Sequence, residues 1–255
     1  MTKFTVPSKI LGAINLFLLL GTLALAKDTG PRAEADGLMT SPTLEVSQAR
    51  RALALYEESL PTAGSGRPLL LARLARVCFI LGDITKDSQR QGFYEKGRTY
   101  AEMLLKEQPA GVAGHYWLAL NLCGLADVGG ALQGRELLPT ILEELQRSLT
   151  IDETYDQAGA HRVLGRIYFE APGRPLSVGD LNKSLHHLTA AVRLAPQNST
   201  NHLYLAETLL RLENRDQARQ QLEQTLKATQ HAIHPGGLTD DQTTAQRRLA
   251  ELGGG

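Results

Sequence analysis

A pattern of Leu, a small residue, two variable positions and a large residue recurs along this chain. It occurs at Leu74-Ala75-Arg76-Val77-Cys78, Leu118-Ala119-Leu120-Asn121-Leu122, Leu164-Gly165-Arg166-Ile167-Tyr168 and Leu205-Ala206-Glu207-Thr208-Leu209. The starts lie 44, 46 and 41 residues apart, and helix-stopping positions follow at Pro109, Asp152, Pro196 and Pro235. Between each anchor and its stop lies a second stretch with apolar residues at i, i+3, i+4 and i+7, so each unit reads as two antiparallel helices. A unit of this size cannot bury its apolar face alone, and stacking units against one another buries a continuous core. The expected fold class is all-α: a TPR-like helical-hairpin solenoid with N- and C-terminal capping helices and about four hairpin units over residues 42–252.

Composition agrees with helices. Aromatic residues are only 5% of the chain, and Leu and Ala supply most of its apolar surface; both keep side-chain freedom in a helix. The fourth unit has ordinary spacing, with Leu205-Ala206 and Leu209, then Ala218, Leu222 and Thr225, turning through Asn214 to Gln217. The third carries an insertion, Ala171 to Asp180, with prolines at 172 and 175 and glycines at 173 and 179. It reads as a rigid loop, with Ser177 and Asp180 close to a capping box for the next helix. Residues 43–60 read as a lone capping helix, 27–41 as a disordered polar linker, 240–252 as the closing helix and 253–255 as a tail.

Lys3 and Lys9 precede an apolar stretch from Ile10 to Ala26 that ends in Ala24-Leu25-Ala26. This is a secretory signal pattern with cleavage expected after Ala26, placing the protein in the periplasm; a retained membrane anchor is the alternative. No cysteine lies near it, which argues against a cysteine-linked lipid anchor. The chain has 27 basic and 27 acidic residues, and the leader carries two lysines and no acid, so cleavage leaves a net charge of −2. That balance, without a basic aromatic stripe, argues against nucleic acid as a partner.

No catalytic constellation is legible. Gly64-Ser65-Gly66 lacks a strand-turn-helix setting, no phosphate or dinucleotide loop occurs, and Ser177 with Asp180 is weak ground for a hydrolase. His186 and His187 point about 100° apart on a helix and cannot easily share one ion. His231 and His234 share a face but have no Cys, Asp or Glu at ligand spacing, so no metal and no cofactor is expected. Cys78 and Cys123 fall on neighbouring first helices one residue out of register, which favours free thiols over a bridge. First helices line the concave face of such solenoids, making Tyr116, Asn121, His161, Arg162, Arg166, Asn201 and His202 the candidate partner- or ligand-binding residues. The competing reading is that Tyr116 and Trp117 pack between helices and that Arg162 and Arg166 form a solvated face.

Some of these residues carry a family resemblance. Tyr116-Trp117 through Asn121, Arg162-x-Leu164-Gly165-x-x-Tyr168, the insertion Ala171-Pro172-x-x-Pro175-x-Ser177-x-Gly179-Asp180, Ala195-Pro196 and Leu205-Ala206-Glu207 together resemble the T-component (TatT) family of tripartite ATP-independent periplasmic (TRAP) transporters. The resemblance implies a non-catalytic accessory protein that binds a periplasmic solute-binding protein, with a small organic or hydrophobic ligand and a homo-oligomer as further options. The general alternative is a TPR scaffold for other envelope proteins.

Overall fold

The computed structural model describes residues 30–253. Ten helices follow one another: α1 (Pro31–Met39), α2 (Val46–Ser59), α3 (Arg67–Ile84), α4 (Arg90–Glu107), α5 (Val112–Ile151), α6 (Tyr155–Glu170), α7 (Leu181–Leu194), α8 (Ser199–Arg211), α9 (Arg215–Lys227) and α10 (Gly237–Gly253). Helices pack chiefly on their neighbours in the chain, as a solenoid requires. The all-α hairpin solenoid expected from the repeat is what the chain forms. The stretch read as a leader, residues 1–26, lies outside the described residues; within them no helix is long and apolar enough to cross a membrane.

The α5 segment is a hairpin in itself. Gly130 has φ 74° and ψ −167°, a backbone state open to glycine and strained for other residues. Arms 112–129 and 131–151 fold back on each other there, which brings His115 to Glu144. The glycine pair Gly129-Gly130 thus makes a tight turn. Between α3, α4 and α5, the buried Tyr94 ring fits into space left by two glycines. A Cβ on Gly82 would lie 2.4 Å from that ring, and one on Gly124 would lie 2.3 Å from it.

Two expectations at the N-terminus need correction. The stretch read as a disordered linker contains α1, and the helix read as lone, α2, is its hairpin partner. Polar composition misled because α1 is held largely by polar contacts. Tyr56 of α2 donates to Asp36 at 2.6 Å, Arg73 of α3 pairs with Asp36 at 2.8 Å, and Ala35 is fully buried beneath them. Counting the α5 arms, five hairpins and the closing helix α10 occur among the described residues, rather than about four with two caps.

The insertion between α6 and α7 folds onto itself. Gly179 N–H donates to Pro172 O and Asp180 N–H to Tyr168 O, both at 2.9 Å, and a Cβ on Gly179 would strike Ala171 O at 2.0 Å. Asp180, rather than a Ser177 box, caps α7: its Oδ1 accepts N–H bonds from Asn182 and Lys183. Leu176 stands at the loop's exposed side, 76% accessible.

Candidate partner-binding site

Of the seven residues expected to line a binding face, six are buried. Tyr116, Arg162 and Asn201 meet in one internal network around the start of α6, where Asp156, Gln157 and Ala158 all take left-handed backbone angles (φ 49°, 58° and 60°). Each such residue costs roughly 1–2 kcal/mol, so the turn survives only because its surroundings hold it. Arg162 donates to the Asp156 carboxylate and the Tyr116 hydroxyl, both at 3.0 Å, and to the carbonyls of Asp156 and Gln157. Tyr116 donates to Asp156 at 2.6 Å, and Asn201 donates to the carbonyls of Gln157 and Ala191. Burial, then the Asp156 carboxylate, holds the Tyr116 phenol well above its ordinary range. The network joins α5, α6 and α8 and is closed to a partner. Neither the concave-face reading nor the solvated-face reading of Arg162 holds.

The histidines have a shared structural role. His115, His161 and His202 each stand three residues before an anchor leucine, at Leu118, Leu164 and Leu205. Each reaches from the first helix of its hairpin to the second: His115 Nδ1 to Glu144 at 2.5 Å, His161 Nδ1 to His187 Nδ1 at 3.0 Å, His202 Nδ1 to Gln221 at 2.7 Å. On the other ring nitrogen, His115 and His202 donate to the carbonyls of Pro109 and Pro196, each six residues upstream. Asn121 is likewise internal, donating to the carbonyls of Ala75 and Trp117. The spacing Pro-x5-His, at Pro109–His115 and Pro196–His202, was a visible signal for two of the three; Tyr155 holds that place before His161.

Arg166 alone remains half-exposed. It pairs with Glu207 at 2.6 Å and Glu170 at 2.5 Å and stacks over Tyr204, 4.5 Å from the ring centroid. It borders a polar depression with Phe169, Arg211 and Arg248.

The accessible apolar site lies elsewhere, in a groove of about 590 Å³ between the two arms of α5, the end of α6 and the insertion loop. Its floor is Cys123, Leu138, Ile141 and Ile167, Leu176 leans over it, and Asp127, Arg135, Glu170 and Ser177 form the rim. Leu132, next to the lining Ala131, is 72% exposed. None of these was among the seven residues expected to bind a partner; a leucine in a proline-rich loop was the available clue. Both cysteines are free: Cys78 is buried and Cys123 half-buried, and desolvation pushes each thiol up to about 12.

The comparisons with known proteins agree with the architecture. A thermophilic TPR protein from Thermus thermophilus superimposes with a TM-score of 0.61 over 87% of this chain and 96% of that chain, at 20% identity; at that identity the likeness establishes the fold. Residues 176–235 match a tetratricopeptide repeat model. No curated protein matches. The resemblance to the TRAP transporter T-component is overturned: residues 33–173, which hold much of the pattern that suggested it, match a different family model, whose description is regulator of microtubule dynamics protein 1-3. Generic repeat residues such as Leu164-Gly165 and Leu205-Ala206 occur in any such solenoid and could not separate the two. With more than half its length matched, the chain belongs to the regulator of microtubule dynamics protein 1-3 family.

Proposed function

We propose that this protein is an exported, non-catalytic TPR scaffold that receives an apolar segment of a partner protein in the groove between α5, α6 and the insertion loop. The observation that carries the reading is the groove itself. Leu176 is 76% exposed above an apolar floor, and burying one such side chain is worth about 1.5–3 kcal/mol. A rim carrying both signs of charge around an apolar centre is the usual anatomy of a protein-binding patch. The partner segment is an amphipathic helix or extended peptide offering apolar side chains in a row. The family description makes tubulin a partner to test in the case that the chain is not exported. Export rests on Lys3 and Lys9 ahead of the apolar run from Ile10 to Ala26.

Photo-crosslinkers placed at Ser177 and, as a control, at the exposed Gln220 test the site. Capture from Ser177 with loss of binding of the purified captured partner in Leu176→Asp supports the groove; equal capture from both positions sinks it. Co-sedimentation with polymerised tubulin, lost in the same variant, would identify that partner. Recovery of a chain beginning at Lys27 from the exported fraction tests the leader.

A further inference from the structure

Residues 228–236 join α9 to α10, and they touch both the last repeat and the first hairpins. At one end they are tied to the entry of α8. Thr229 and Gln230 N–H donate to Gln197 O, Ser199 N–H donates to Gln230 O at 2.8 Å, and Ala232 N–H donates to Thr200 Oγ1. At the other end, Arg76 of α3 donates to Ile233 O at 3.2 Å, across 157 residues of sequence. Ile233 packs into the N-terminal core, and Pro235 lines a pocket with Asp36, Met39 and Tyr56. Because helices otherwise pack chiefly on chain neighbours, this segment links the last repeat to the first.

His231 holds its turn. The imidazole Nδ1 accepts N–H bonds from both Ile233 and His234 at 3.2 Å, so Nδ1 is unprotonated and the ring proton sits on Nε2. That Nε2 lies 3.7 Å from Asp241, which is itself fixed by the hydroxyls of Ser199 and Thr200. The ring rests on Gly237, where a Cβ would come within 2.3 Å of it. A proton arriving at Nδ1 would set three donors facing one another with no acceptor between them.

We propose that residues 228–236 form an acid-labile strap that closes the solenoid end to end, latched by His231. The charged groups that act on His231 are Asp241 on α10, Asp83 on α3, Arg162 on α6 and His234 in the strap, while Asp83, Asp240, Asp241 and Arg76 act on His234. The carboxylates favour protonation, while the arginines and the second histidine oppose it. Burial is the largest influence and holds both histidines below their ordinary value. A released strap returns His231 to about 6.5. Closure is therefore complete above that pH and weakens as pH falls, by about tenfold per unit until the closed-state value is reached. Opening uncovers the α3 surface around Arg76 without unpacking the hairpins.

Hydrogen exchange on the full chain at about pH 7.5 and about pH 5, corrected for intrinsic rates, reads the strap amides directly. The wild-type strap should lose protection roughly tenfold or more on acidification, while peptides from α4 keep theirs. In His231→Asn the side-chain oxygen stands near the Nδ1 position, accepts the same N–H groups as an Asx turn and does not titrate, so protection should persist at both pH values. Unchanged wild-type protection, an equal acid loss in H231N, or simultaneous loss across α4 would each overturn the proposal. If the H231N strap is already open at neutral pH, His234→Asn decides: acid loss of wild-type size supports His231 as the latch, and its disappearance overturns it.

Discussion

Replacing Arg162 with methionine should cost about 3–5 kcal/mol, the range for breaking a buried ion pair by removing one partner. The side chains of Arg162 and Asp156 are only 4% and 14% exposed, so little water is available to take over. Without the guanidinium, the Asp156 carboxylate keeps the Tyr116 hydroxyl, while the left-handed turn loses the guanidinium bonds to the carbonyls of Asp156 and Gln157 and Gln157 keeps only Asn201. For a domain of this size each kcal/mol moves the melting temperature by about 2–4 °C, so the fall should exceed about 6 °C. Trp117 is the only tryptophan and donates to Tyr155 at 3.0 Å beside the network. Its fluorescence in a urea titration therefore reports the region, with the midpoint lowered and the slope unchanged. Asp156→Asn in the R162M background should recover part of the loss, because the stranded charge is gone. A cost under about 1 kcal/mol, the level of an exposed pair, or no coupling between the two positions, would refute the view that this network supports the turn.

Gly97→Ala should destabilise by about 1–3 kcal/mol, because the new Cβ would meet Asn121 Oδ1 at 2.0 Å and drive that side chain off its two carbonyl partners; thermal melting checks this. Leu176→Asp should leave the melting temperature nearly unchanged, since the residue is exposed, while abolishing capture at the groove. Acid should weaken the His161–His187 contact. Burial and then the neighbouring charge of His161 lower His187 to about 4, and burial lowers His161 as well. The unfolded chain therefore binds protons first, and this pair's contribution to stability declines from about pH 6.5 down to about 4. A melting-temperature profile that flattens in His187→Gln confirms the assignment. Cys78 should resist thiol reagents until the protein unfolds, given full burial and a thiol pushed up to about 12.

The hairpin repeat, its stops at Pro109, Asp152 and Pro196 and the free thiols were legible because they rest on local quantities: apolar period, proline and glycine placement, register between neighbouring helices; α9 instead ends at Lys227, well before the expected stop at Pro235. The sites were less so. Tyr116, Arg162 and Asn201 are residue types usually found at surfaces, and only the folded chain brings them around one strained turn where they satisfy one another. The latch role of His115, His161 and His202 could have been read from their common offset to the anchor leucines, whereas their separate partners Glu144, His187 and Gln221 could not.

What the sequence by itself determined is a stack of helical hairpins, since a repeated apolar face that one unit cannot bury dictates stacking. Tertiary structure alone decided that α1 is ordered, that the candidate polar residues are interior, and that the accessible groove sits under Leu176. It also decided that residues 228–236 reach back to α3. Each of these depends on contacts between residues tens of positions apart, and a pattern of local period carries no information about which distant polar groups will meet.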